Sequence, residues 1–317
     1  MLSSTTGVFR EPGDLQAALR EYGCTNITFT GNGMFKVRLT RIALHRLRLL
    51  SAEESLPRVA FFSIPSNTIL VLVPFGADPP PLWDGVAASA GEIMTVGAGH
   101  GSHTRSTSSC RWGAMLLPVG LLLSYARKVT GNALVLPSGV CCWRPSAKAY
   151  RHLVQLNASA TRVANARSGV IVTSEPARTL EHEVVDAVIA CLSERPQKPA
   201  NKAKARHAEI MARFEDLVRA HPNVPLTSTE VCMALDISGR TLRVCCKLHL
   251  GLSPTAYMRL RRMQLARLAL RGADSATVSV SQVAAQYGFI QAGRFAGFYR
   301  AQFGELPSAT LRRSSGQ

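Results

Sequence analysis

Residues 228–251 read STEVCMALDISGRTLRVCCKLHLG. The spacing predicts a short helix over 228–235, a turn at 236-DIS-238, and a second helix from Gly239 to Leu250 that Ser238 caps and Gly251 stops. On that second helix Leu242, Cys245, Cys246 and His249 fall at i, i+3, i+4 and i+7 and form an apolar face. Arg240, Arg243, Val244 and Lys247 recur at the same intervals on another face. One face packs and the other presents cations near the helix N-terminus. A helix entering the major groove of DNA needs this layout, because its N-terminal residues meet base edges while flanking cations hold phosphates.

Moving outward, 279-SVSQVAAQYGF-289 repeats the short helix and turn, and 292-AGRFAGFYRAQFG-304 gives a second long helix. It turns Phe295, Tyr299 and Phe303 toward a core and leaves Arg294 and Arg300 outside. Between the two units, 253-SP-254 starts a helix that runs to Arg271. Its 18 residues span about 27 Å at ~1.5 Å per residue, comparable to the ~34 Å between successive major-groove faces. A further helix, Ala203 to Ala220, precedes the first unit, so residues 203–317 read as all-helical.

Charge supports the same partner. The 317 residues carry 37 Lys plus Arg against 20 Asp plus Glu, a formal net charge of +17, which favours a polyanion. Residues 196–317 hold +11 of it, and 30 of the 37 basic residues are Arg, the side chain suited to guanine edges and phosphates. The longest apolar runs, Ile69 to Phe75 and Ala114 to Leu123, are broken by Pro74 and Pro118 and are too short to span a bilayer. With no secretory pattern at Met1 to Leu15, a cytoplasmic protein without a membrane partner is expected. The eight cysteines show no C-x-x-C pair and read as buried free thiols.

Residues 1–195 read differently. Lys36 to Leu39, Arg58 to Ile64, Thr68 to Phe75, Glu92 to Val96 and Trp112 to Leu117 are short apolar segments between 78-DPPP-81, 84-DG-85 and 97-GAGHGS-102, the pattern of a β sandwich or small barrel. Helical periods follow in Leu153, Leu156, Ala160 and Val163, and in Leu180, Val184, Val188, Ile189 and Leu192. The helix over 178–194, with Glu181, Glu183, Asp186 and Glu194 on its polar face, packs on its own domain or makes a homodimer interface. The expected architecture is multidomain α+β. It comprises a β-rich domain with helices at its end (1–195), a linker at 196–202, and an all-α domain (203–317) with helix-turn-helix motifs at about 228–250 and 279–303.

The motifs Ser-x-Arg-Thr-Leu (238–242), Leu-Gly-x-Ser-Pro (250–254), Val-Ala-x-x-x-Gly-Phe (283–289) and Phe-Gly-x-x-Pro-Ser (303–308) occur in one order and spacing. Through them Phe214 to Arg313 resembles the DNA-binding domain of the AraC/XylS family of bacterial transcription regulators. Arg38 to Ala160 resembles, through 56-LPRVAFFSIP-65 and 111-RWGAMLLP-118, the effector-binding, cupin-like β domain that some members carry. The resemblance implies a sequence-specific regulator that binds double-stranded DNA, meets RNA polymerase as an activator does, and receives a small-molecule effector. Carried over by position, the DNA-contacting residues are Ser238, Gly239, Arg240, Thr241, Arg243, Val244 and Lys247 in the first motif. In the second they are Ala292, Gly293, Arg294, Ala296, Gly297 and Arg300.

Val244 stands where relatives usually place Arg, and Ala296 and Gly297 stand where polar or basic residues are common. Direct readout is therefore expected chiefly from the first motif, with the second positioning the backbone through Arg294 and Arg300. Cys246 replaces a large aromatic, which loosens the first recognition helix unless a neighbour such as Leu248 compensates.

In the β domain His100 and His103, with Arg105 and Arg111 nearby, sit on a Gly-rich loop between predicted strands, and His103 and Arg105 are the effector-contact candidates. No Asp or Glu lies between Glu92 and Glu175 to complete a cupin His-x-His metal set, so neither metal nor cofactor is expected. No Ser/His/Asp set, P-loop, dinucleotide fingerprint or four-cysteine alkyl-transfer site appears, which argues against an enzyme. The competing readings are a nonspecific nucleoid-associated protein, which would bind all sequences alike, and a cupin-like enzyme fused to a DNA-binding module.

Overall fold

Thr68–Pro74, TILVLVP, is apolar at nearly every position, which suits a strand only where both faces of its sheet are covered. Its alternate residues serve two different cores. Ile69, Val71 and Val73 pack against helices, while Leu70 and Leu72 face the interior between two sheets. Met115 and Leu117 against Ala114 and Leu116 divide in the same way on the neighbouring strand.

The computed structural model describes residues 2–75, 79–131, 134–136, 138–166, 174–193 and 202–314. The chain begins with β1 (Ser3–Phe9), α1 (Pro12–Leu19), β2 (Cys24–Phe29), β3 (Val37–Ala43), β4 (Arg48–Glu54), β5 (Arg58–Ser63) and β6 (Thr68–Pro74). It continues with β7 (Leu82–Trp83), β8 (Val86–Ala87), β9 (Ile93–Val96), β10 (Gly101–Arg105), β11 (Cys110–Pro118), α2 (Val119–Thr130) and β12 (Val140–Trp143). Helices α3 (Ala147–Ala166) and α4 (Ser174–Leu192) complete this half. One sheet has the order β1-β3-β4-β11-β6-β9-β12 and the other β2-β5-β10-β7-β8.

Helices α2, α3 and α4 cover the outer face of the first sheet. Val184, Val185, Val188, Ile189 and Leu192 of α4 are buried there, so the apolar stripe expected on this helix is used within the chain. Glu181, read as part of the polar face, is buried and accepts from the backbone N and Nε of Arg46 at 2.9 and 3.0 Å.

The helical half comprises α5 (Lys202–Ala220), α6 (Ser228–Leu235), α7 (Gly239–His249), α8 (Pro254–Gly272), α9 (Val280–Gln286), α10 (Ala292–Phe303) and α11 (Pro307–Ser314). Most of the expected linker at 196–202 lies outside the described residues. No helix among the described residues is long and apolar enough to cross a membrane. The eight cysteines form no disulfide among the described residues, and seven are buried.

What covers the second sheet was not legible in the sequence. Along β5, Ala60 and Phe62 point into the sandwich, whereas Val59 belongs to the core formed by α5, α6, α7 and α8. The outer face of the second sheet is therefore roofed by the helical half. Gly101–Arg105, expected as part of the Gly-rich loop that carries His103, is instead strand β10 in the middle of that sheet, and it brings His103 to this seam.

Candidate nucleic-acid interface

Both helix-turn-helix motifs are built by the same local devices. Thr227 and Glu230 cap α6 reciprocally, with Glu230 N donating to Thr227 Oγ1 at 3.2 Å and Thr227 N donating to Glu230 Oε2 at 2.7 Å. Ser279 and Gln282 cap α9 likewise, at 3.2 and 2.7 Å. Each turn then passes through a left-handed residue, Asp236 at φ 53° and Gly288 at φ 71°. Each also closes by a matching backbone bond, Ile237 N to Cys232 O at 3.1 Å and Phe289 N to Ala284 O at 2.9 Å.

The recognition helices differ. Ser238 caps α7 by accepting from Thr241 N at 3.1 Å. Leu242, Cys245, Cys246 and His249 are buried on the inner face, and Arg240, Arg243, Val244 and Lys247 are exposed on the outer one. No side chain caps α10 at Gln291. Phe295 and Tyr299 are buried and Phe303 is half-buried, while Ala292, Gly293, Arg294, Gly297 and Arg300 are exposed and Ala296 is half-buried. An added Cβ at Gly293 or Gly297 would meet nothing within 4 Å, so packing does not demand glycine at either.

Sequence reading passed over two apolar groups beside this helix. Ile290 is 95% exposed, and Phe298 is exposed with the Arg259 guanidinium 4.5 Å from its ring centroid. Their signal was their position outside the 295/299/303 stripe.

Helix α8 ties the motifs into one body. Tyr257 and Met258 at its start are buried in the first motif's core, and Met263, Ala266 and Leu270 further on are buried in the second's. The 19-residue helix is about 28 Å long at ~1.5 Å per residue.

The seam with the β half holds α7 from behind. Glu215 on α5 accepts hydrogen bonds from His103 Nε2 at 3.0 Å, from the Tyr257 hydroxyl and from Arg261 Nη1. Burial would raise this carboxyl, but the Arg261 charge and then the His103 bond carry it down to about 2. Asn26 Nδ2 donates to the Tyr257 hydroxyl at 2.8 Å. Asp84 Oδ1 accepts from His103 N at 2.9 Å and pairs with His249 Nδ1 at 3.1 Å. Although burial opposes it, the His249 bond and the neighbouring imidazole charges hold the Asp84 carboxyl below its ordinary range.

Leu248 does not fill space left by Cys246 in the helical core. It sits against Gly85, where an added Cβ would stand 2.6 Å from its Cγ. The two effector-contact candidates are committed to this seam: His103 is 1% exposed with the Phe61 ring tilted against it at 4.7 Å between centroids, and the Arg105 guanidinium fills the place a Gly251 Cβ would take.

A second seam lies under the other motif. Arg267 grips Glu11 with Nε and Nη2, both at 2.9 Å, and reaches Glu305 at 2.8 Å. Gln302 Nε2 donates to Phe29 O and Gly31 O at 3.2 Å, covering the edge strand β2.

Comparison with known proteins places residues 231–313 in a helix-turn-helix domain family. Over 97 residues, 31% of this chain and 29% of the other, the sequence is 40% identical to the probable thc operon regulatory protein of Rhodococcus erythropolis. Over 77 residues, 24% and 23% of the two chains, it is 43% identical to the XylDLEGF operon transcriptional activator 1 of Pseudomonas putida. The match thus spans under a third of the length of these curated relatives. Among solved structures, the AraC-like transcriptional activator CuxR aligns over 84% of this chain and 96% of its own, at a TM-score of 0.42 and 17% identity.

Proposed function

We propose that the chain is a sequence-specific DNA-binding transcription regulator of the AraC/XylS type, a reading supported by the helix-turn-helix domain match over residues 231–313 and the likeness to operon regulators. The observation that carries this reading is the pair of motifs fixed on α8, with an exposed cationic face on α7 and a second exposed helix on α10. Two recognition helices on one rigid strut address two successive major-groove segments of a single site.

On this reading Arg240 and Arg243 read base edges, Lys247 holds phosphate, and Arg294 and Arg300 position the second helix on the backbone. RNA polymerase is the partner met next on the DNA. The β half, roofed by helices on one sheet and by the DNA-binding half on the other, is where a small molecule acts on DNA reading.

The test is binding of the full chain to a site in which each base pair is swapped in turn. Losses concentrated beneath α7 are expected. Equal or greater losses beneath α10 would reverse the assignment of readout, and equal affinity for every sequence would point to a nonspecific DNA-coating protein.

A further inference from the structure

Asp84 and Gly85 form the two-residue turn between β7 and β8, both at positive φ (43° and 75°), the backbone of a hairpin turn favoured by Asp-Gly. This turn directs the Asp84 carboxylate into the seam, where His103 of β10 and His249 of α7 converge on it. All three residues are more than nine-tenths buried, and one ligand atom from each lies within 4.8 Å of the other two. Atoms so spaced lie at most about 2.8 Å from a common centre, against ~2.0–2.2 Å for nitrogen and carboxylate oxygen on bound zinc. Small side-chain rotations close that gap.

Two of the polar atoms, Asp84 Oδ2 and His249 Nε2, have no hydrogen-bond partner among the described residues, a costly state for buried groups. His103 carries the support that metal-bound imidazoles usually have: Nε2 is engaged by the Glu215 carboxylate, and the tautomer that donates there leaves Nδ1 with the lone pair. His249 differs, its Nδ1 already lying 3.1 Å from Asp84 Oδ1. A cation held by Asp84 and by His249 through Nδ1, in place of the proton between them, would give the orphaned Asp84 Oδ2 a partner.

We infer that Asp84, His103 and His249 form a binding site for a divalent transition-metal ion of the zinc class, which ties the last residue of the first recognition helix to the β half. Two imidazoles and one carboxylate suit zinc and its neighbours better than calcium or magnesium, which prefer all-oxygen sets. The site is assembled from a turn, a strand and a helix separated by up to 165 residues, so no sequence spacing could have announced it. That the ion steadies α7 on DNA rests on the proposed function; that it binds does not.

The experiment uses the full chain, stripped by chelation and titrated with Zn²⁺ by calorimetry and with Co²⁺ by absorption. One ion per chain is expected, with cobalt bands of nitrogen and oxygen ligands, no thiolate charge-transfer band, and a higher thermal midpoint. Asp84→Asn, which keeps a residue tolerant of positive φ, and His249→Gln should each weaken binding at least tenfold, while Lys247→Ala binds as the unaltered chain does. Absence of saturable binding, unchanged binding in both variants, or thiolate bands that place cobalt on Cys245 or Cys246 would overturn the site. If neither variant folds by circular dichroism, the cobalt spectrum of the unaltered chain decides alone. Metal binding in a chain without DNA affinity would remove the regulator reading and leave the site standing.

Discussion

Ser238 caps α7, and no side chain caps α10. The first recognition helix exposes Arg240, Arg243 and Lys247 and ends at a buried His249 in a seam of charged groups closed from water. The second exposes Arg294 and Arg300, spends two positions on glycine, and meets the β half through Gln302 on a strand edge. Both motifs nonetheless share the capping boxes of their first helices, α6 and α9, their left-handed turns and the strut between them. Duplicating a backbone arrangement has not duplicated its chemistry: cations and firm support are concentrated on one copy.

The largest test of that contrast is mechanical. Glu215→Gln leaves the half-buried Arg261 without its counter-charge and the buried His103 and Tyr257 without a charged acceptor, and should lower unfolding free energy by about 3 to 5 kcal/mol. Glu11→Gln, at the more accessible second seam, should cost about 1 kcal/mol. Equal losses in denaturant titrations would erase the difference between the seams.

Reading comes next in size. Arg240→Ala and Arg243→Ala should each cost about 1 to 3 kcal/mol at one base pair and relax preference there. Arg300→Ala should weaken all sequences alike and reduce the salt slope by about one. A base-specific loss in the last variant, measured on single-substituted sites at several salt concentrations, would give the second motif a reading role.

Capping offers a reciprocal pair. Ser238→Ala should destabilise by about 1 kcal/mol, and Gln291→Ser, at an extended N-cap, should stabilise by about 0.5 to 1 kcal/mol in thermal melts. The smallest effects belong to Gly293→Ala and Gly297→Ala. Each should add about 0.5 to 1 kcal/mol of stability, with site preference unchanged. A fall in DNA affinity would reveal that α10 lies with its backbone close against the duplex.

The helical half was legible because its signals are local. Ser238, Ser253-Pro254 and Ser279 announce helix starts through bonds made within three residues, and the buried face of α7 follows from a 3.6-residue period. In the β half the signals fail where burial is supplied from far away. Gly101–Arg105 looked like part of a loop region because its buried outward residue is a histidine whose carboxylate partner lies on α5. At Pro118 a single apolar run changes from β11 to α2, and periodicity cannot divide a run that is buried on both sides. The exposed cationic face of α7 was legible in sequence, whereas the groups that hold α7 from behind, Asp84, Glu215 and Gly85, were not.

Gly85 therefore has a reach beyond its own turn. Leu248 rests on it with no room for a methyl group, near the end of a helix whose other end carries Arg240. That makes α7 a lever with its fulcrum in the β half, its arm being eight residues, about 12 Å at ~1.5 Å per residue. A tilt of about 5° at the fulcrum carries the arginine end through about 1 Å, enough to undo a bidentate hydrogen bond to a base. On the proposed reading, whatever displaces the β7–β8 turn, a bound ion, a ligand or a single added methyl, is felt at the bases without touching the DNA.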